Sequence, residues 1–187
     1  MKKIAIFASG SGSNAENIVQ YFKNSELLNI ECIYSNKNDA FVLERAKKYN
    51  IPTTVFTRED FYQTDKILES LKSYNVEFVV LAGFLWLIPL NLIEHFTIVN
   101  IHPALLPKYG GKGMYGSRVH EAVVANGETE SGITIHYVNE KYDDGQVIFQ
   151  AKCEVLKEDT ADDVAAKVHA LEYEHFPKVI EQLLLSR

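Results

Sequence analysis

An α/β fold is what this sequence predicts: a doubly wound, mostly parallel sheet with late antiparallel strands and a C-terminal helix. Three observations carry that reading. Short apolar runs alternate with amphipathic stretches through the first half, the pattern of repeated strand–helix units. Two of the runs, 78–82 and 98–101, are apolar at nearly every position, as strands covered on both faces are. A glycine turn follows the first run at once and leads into a helix.

The first strand is expected at 4–8, Ile-Ala-Ile-Phe-Ala. Two lysines precede it, but five apolar residues are too few for a signal-peptide core or a membrane span. The protein is therefore expected to be cytoplasmic. A helix over 15–23 comes next, then strands at 30–34, 53–56, 78–82 and 98–101, separated by helices at 40–49, 65–74 and 89–95. In the helix at 40–49, Phe41, Leu43, Ala46 and Tyr49 fall at helical spacing. It should stop near Asn50, because Pro52 disfavours helical geometry at Ile51.

The second half changes character. A glycine-rich stretch from Gly110 to Gly116 interrupts the alternation, and a helix over 118–125 follows. Segments 133–138 and 147–154 read as strands joined by a turn at Asp143-Asp144-Gly145. The last helix opens at Thr160 with acids at Asp162 and Asp163. Val164, Val168, Leu171, His175, Val179 and Leu183 continue one face, and Pro177 should kink or split it. Without repeats or a low-complexity linker, residues 1–187 are read as one domain.

The 187 residues are 47% hydrophobic and 24% charged, enough to bury a real core. A net charge of −6 argues against nucleic acid or an anionic membrane as partner. Cys32 and Cys153 each lie in an apolar run with no CxxC spacing, as expected of lone thiols in a reducing compartment. No His, Cys and Asp grouping has zinc-like spacing, so no metal is expected.

Two places carry chemistry. After the first strand comes Ser9-Gly10-Ser11-Gly12-Ser13-Asn14. Glycines let backbone amides approach an anion, and the helix N-terminus adds partial positive charge, so phosphate is favoured over an empty turn. The same residues satisfy G-x-G-x-x-A, the dinucleotide fingerprint, but the second strand ends in Tyr34-Ser35-Asn36-Lys37 without the acid that would hold a ribose. Lys37 could serve a phosphorylated ribose, so NADP is weakened but stays open. The fifth strand ends in Asn100-Ile101-His102-Pro103. Period two puts Asn100 and His102 on one face at the carboxyl end of the sheet, where such folds bind ligands. An amide donor beside an imidazole suits acyl-type chemistry: one holds a developing oxyanion, the other carries a proton. A merely hydrogen-bonded histidine fits the spacing equally well. Asp143 is the best carboxylate to complete the set, although Asp-Asp-Gly by itself reads as a plain turn. His136 is ambiguous between core and support of the site. His95, His120, His169 and His175 read as helix residues without a role.

Taken together, Gly10–Asn14, Ser35-Asn36-Lys37, Leu81-Ala82-Gly83-Phe84, Asn100-Ile101-His102-Pro103 with Leu105-Leu106-Pro107, Gly132-Ile133-Thr134-Ile135-His136, and Asp143 before Gly145 resemble the glycinamide ribonucleotide formyltransferase family. The matches occur in family order and span nearly the whole chain. The resemblance implies an enzyme of purine synthesis that moves a formyl group from 10-formyltetrahydrofolate to the amine of glycinamide ribonucleotide, through a tetrahedral intermediate and without a metal. It implies catalytic Asn100, His102 and Asp143, with His102 assisting in its protonated form. The acceptor phosphate would lie on Gly10, Ser11, Gly12, Ser13 and Asn14, and the ribose on Glu172, which alone would read as a solvated helix carboxylate. The folate would lie against Phe84, Leu85, Trp86, Leu87, Ile88, Val138, Asn139, Glu140 and Tyr142. The implied partners are small molecules, on a monomer or homodimer. The chain departs from its relatives at Ala104, where many have Ser, at Trp86, where some have Arg, and in its longer glycine-rich stretch. That stretch has the glycine content of a lid. Relatives that formylate initiator tRNA, hydrolyse the folate or modify sugar nucleotides are usually longer; a non-catalytic NADP-binding module is the reading from another class.

Overall fold

The apolar runs form strands because they pair into a sheet whose two faces are both covered. The computed structural model describes residues 1–186. Its elements are β1 (Lys2–Phe7), α1 (Ser13–Phe22), β2 (Leu28–Ser35), α2 (Phe41–Lys48), β3 (Thr53–Val55), α3 (Arg58–Tyr62), α4 (Lys66–Ser73), β4 (Phe78–Leu81), α5 (Leu90–His95), β5 (Thr97–His102), α6 (Ser117–Ala125), β6 (Glu130–Tyr137), β7 (Val147–Glu154) and α7 (Ala161–Leu185). The sheet runs β3-β2-β1-β4-β5-β6-β7. The first five strands are parallel, and β6 and β7 join antiparallel. This is the doubly wound architecture expected, with its late antiparallel strands and C-terminal helix.

Alternation along β1 shows how both faces are filled. Ile4 and Ile6 pack with Ile18 of α1, Val42 of α2 and Phe176 and Ile180 of α7. Ala5 and Phe7 face the other way, onto Phe61 of α3, Leu71 of α4 and Leu92 of α5. None of these β1 residues is exposed. Among the described residues, no helix is long and apolar enough to cross a membrane.

Four details differ from the sequence reading. Helix α3 was not anticipated, although Thr57 and Asp60 form a reciprocal capping box that marks its start. Phe41, placed inside by its spacing, is 52% exposed, with the Arg45 guanidinium 5.0 Å over its ring, while Val42 and Leu43 take the core face. Helix α7 is not split at Pro177. Proline lacks the N–H that would bond the carbonyl four residues back; that carbonyl, Tyr173 O, accepts from the Asn17 side chain of α1 at 3.0 Å. The buried stripe of α7 runs through Glu172 and Phe176, one residue on from the expected Leu171 and His175. An apolar pattern cannot anticipate a buried carboxylate.

Candidate active site

A cavity of about 750 Å³ opens at the carboxyl ends of β1, β4 and β5. Strand order reverses between β1 and β4, and the loops after the two strands diverge there and leave a crevice. Ser9, 1% exposed, ties those loops together: its N–H donates to Gly83 O at 3.0 Å, and its hydroxyl accepts from Leu85 N–H at 3.0 Å.

One end of the cavity is the glycine turn, with Ser9 through Asn14 and Lys37 in its lining. The two glycines of the turn differ. Gly12 has φ +71°, and a Cβ there would lie 2.4 Å from Val42 Cβ, so it is glycine for the fold. Gly10 has neither constraint; a Cβ there would meet nothing within 4 Å. Gly10 lies in the lining of the cavity. No side chain caps α1, so its first N–H groups point at the same space. Arg45, ion-paired with Glu16, holds the turn by donating to Ser11 O at 2.8 Å. Asn14 donates from Nδ2 to Glu172 at 3.0 Å, and its Oδ1 is buried without a partner.

Glu172 is 4% exposed, not solvated as its sequence position reads. Asn14 and His169 Nδ1, at 2.8 Å, both donate to its Oε2. That bond chiefly raises the His169 pKa above the ordinary value, although burial opposes it. His120 also lines the cavity, its ring 6.3 Å from that of His169. Both histidines, read as role-less from sequence, thus belong to the cavity wall. Their helices α6 and α7 are distant in sequence, so only packing brings them together.

The centre is built across β5 and β6. Asn100 pairs with His136, and His102 with Thr134, in antiparallel register, so Asn100, His102 and His136 share a face. His136 Nδ1 donates to the Tyr137 carbonyl at 2.8 Å, which leaves Nε2 to accept from Asn100 Nδ2 at 3.1 Å. This fixes the amide. Its other hydrogen faces Asp143 Oδ1 at 3.5 Å, a loose contact that keeps it available.

His102 is 4% exposed. Its Nε2 donates to the Tyr109 carbonyl at 2.7 Å, so in the neutral ring Nδ1 carries the lone pair, 3.5 Å from Asp143 Oδ2. Burial lowers the His102 pKa; the Asp143 charge and the Tyr109 carbonyl oppose this without overcoming it. This direction favours the neutral ring in the free protein, whereas the resemblance implied assistance by the protonated form. Asp143 is no plain turn residue. It holds φ +52° and turns its carboxylate into the cavity. Burial pushes its pKa up, but the neighbouring His136 and His102 rings and the Gly111 N–H, 2.9 Å from Oδ2, outweigh that and hold it below the ordinary carboxyl value.

Another part of the lining is apolar. Phe84, Leu85 and Tyr142, of the nine residues expected against the folate, line the cavity. Trp86, Leu87, Ile88, Val138, Asn139 and Glu140 do not. Ile88 is 4% exposed in the core, Trp86 packs against Phe56, Phe61 and Tyr62, and Asn139 bonds Asp144 at 3.0 Å. The glycine-rich segment roofs the cavity with Gly111 through Ser117; Gly111, Gly113 and Gly116 hold positive φ with open space where a Cβ would be. Among the described residues, no cluster of three or more His, Cys, Asp or Glu could hold a metal ion.

With this geometry in hand, comparison with known proteins gives a consistent result. Residues 2–180 match the family model described as formyl transferase. The phosphoribosylglycinamide formyltransferase of Haemophilus influenzae is 38% identical over 188 residues, which cover 97% of this chain and 86% of that one. The chloroplastic phosphoribosylglycinamide formyltransferase of Arabidopsis thaliana is 39% identical along the whole chain, which spans 66% of that relative's length and 62% of the one from Vigna unguiculata. The crystal structure of the enzyme of that name from Anaplasma phagocytophilum superposes with a TM-score of 0.88 at 32% identity, covering 98% of this chain and 87% of that one.

Proposed function

Since this chain belongs to the formyl transferase family, we propose that it transfers the formyl group of 10-formyltetrahydrofolate to the amine of glycinamide ribonucleotide, a step of purine biosynthesis. The observation that carries this reading is one cavity whose lining joins the glycine turn at the start of α1, the apolar side chains of Phe84, Leu85 and Tyr142, and Asn100, His102 and Asp143.

The acceptor phosphate takes the turn from Gly10 to Asn14, where backbone N–H groups and the N-terminal field of α1 favour a dianion. The ribose hydroxyls reach Glu172, whose Oε2 is already engaged, leaving Oε1 to accept. The pterin ring lies against Phe84, Leu85 and Tyr142. With both ligands so held, the acceptor amine meets the donor formyl carbon near Asn100 and His102.

The amine attacks the carbonyl carbon, and its electron pair forms the new C–N bond as the carbonyl electrons move to oxygen. Asn100, oriented by His136, donates its loosely held hydrogen to that oxygen. The amine proton goes to Nδ1 of neutral His102, and the imidazolium is stabilised by ionised Asp143 at the same nitrogen. Collapse breaks the bond to the folate nitrogen, which takes the proton back from His102. A protonated His102 is thus an intermediate state, created by the reaction and not present at its start.

The test is donor consumption, followed by absorbance, with a panel of phosphorylated amines. Turnover with glycinamide ribonucleotide and not with its dephosphorylated form is expected; equal rates with both would overturn the anion cradle.

A further inference from the structure

Thr134 and Gln150 are tied into the loop beyond His102 by hydrogen bonds that the proposed reaction does not use. Thr134 stands opposite His102 on β5 and opposite Gln150 on β7, so the three side chains form a row on one face of the sheet. The Thr134 hydroxyl is fully buried. It donates to the Ala104 carbonyl at 2.7 Å and accepts from Leu106 N–H at 3.0 Å and from the Gln150 amide at 2.9 Å. The Gln150 amide also donates to the Leu106 carbonyl at 3.1 Å. One donor and two lone pairs are all a hydroxyl has, so Thr134 is saturated. The bracketed residues begin the stretch of chain that leads from β5 to Tyr109, whose carbonyl takes the Nε2 proton of His102.

We propose that Thr134 and Gln150 are a positioning pair for His102: by fixing residues 104–106 they fix the Tyr109 carbonyl, and with it which ring nitrogen holds the proton. Neither residue touches substrate. An imidazole whose Nε2 proton is engaged presents Nδ1 to Asp143, as the proposed reaction requires. A slack loop would let the proton move to Nδ1 and put the wrong tautomer at the site, an error that costs an enzyme rate more than affinity. The kinetic part of this inference rests on the proposed function; the tautomer part does not.

The first measurement is therefore the His102 tautomer of the free protein by nitrogen-15 NMR. Wild type should show the Nε2–H form alone, and Thr134→Val a mixture. In steady-state assays Thr134→Val should lose about 10–100-fold in kcat, with KM for either substrate within about threefold, and Thr134→Ser should recover kcat to within about threefold of wild type. Gln150 is exposed on the edge strand, so Gln150→Met supplies a folded variant if Thr134→Val does not fold; a smaller tautomer shift and about 3–10-fold lower kcat are expected. A wild-type tautomer with wild-type kcat in a folded variant, a loss carried by KM, or no recovery in Thr134→Ser each overturns the positioning role. If the wild-type protein transfers no formyl group while Thr134→Val still mixes the tautomers, the functional reading falls and the positioning of His102 stands.

Discussion

In the proposed reaction two side chains, Asn100 and His102, concentrate the chemistry, and their environments set what each can do. The amide is held by His136 at 3.1 Å, so it is oriented before substrate arrives and no reorganisation is needed as charge develops. Asn100→Ala should lower kcat by about 10²–10³-fold with acceptor binding largely kept; near-normal turnover would remove the oxyanion role. His102 accepts a proton only when neutral. Burial holds its pKa below the ordinary histidine value, so kcat/KM should stay level through neutral pH and fall on the acid side, below the pH at which a free histidine titrates. Asp143 pulls the same pKa upward. Asp143→Asn should therefore move the acid limb to lower pH while also lowering kcat, and a limb that moved upward would contradict the arrangement. The pair Asn100 and His102 could be read from period two along a strand. The place of His136 could not, because it depends on the register of a strand that arrives more than thirty residues later.

Secondary-structure elements deliver these groups, and their ends matter more than their middles. The turn into α1 separates two reasons for glycine. Gly12→Ala should destabilise the fold by about 1–3 kcal/mol, because its Cβ would overlap Val42, and the melting temperature should fall by several degrees. Gly10→Ala should leave melting unchanged and raise KM for the phosphorylated acceptor alone. Equal effects on stability would refute the division of roles. In α7 the proline inside the helix is tolerated because Asn17 bonds the carbonyl left without its partner. Asn17→Ala should cost about 1 kcal/mol and speed amide exchange in the turn around Pro177. The missed helix α3 was announced by its capping pair, Thr57 and Asp60, but it is too short to show a hydrophobic period. The segment from Gly110 to Gly116 showed only its composition in the sequence. Tyr109 just before it bonds His102, and Gly111 within it bonds Asp143, so closure of the segment on ligand would reach the proposed catalytic groups.

At the scale of the whole molecule, the cavity exists because the strand order reverses between β1 and β4, and every proposed ligand contact gathers around that point. Acceptor binding should therefore link α1, α6 and α7 into one stabilised body. At an acceptor concentration of about 100 Kd, stability should rise by about 2.7 kcal/mol, seen as a higher melting temperature. Amides from Gly110 to Ser117 should gain exchange protection only when ligands are present. Identical exchange in free and liganded protein would end the idea that this segment closes.

The sequence alone determined the alternation of strands and helices, the glycine turn after the first strand and the shared face of Asn100 and His102, since these follow from local periods and from glycine's freedom near the chain's own neighbours. Tertiary structure decided the rest. Glu172 becomes a buried carboxylate bonded by Asn14 and His169, Asp143 a carboxylate beside His102, and His120 and His169 part of the cavity wall, while Trp86 and Ile88 turn toward the core. Burial and pairing are properties of residues brought together from distant parts of the chain, and no local pattern records which polar group will find its partner inside.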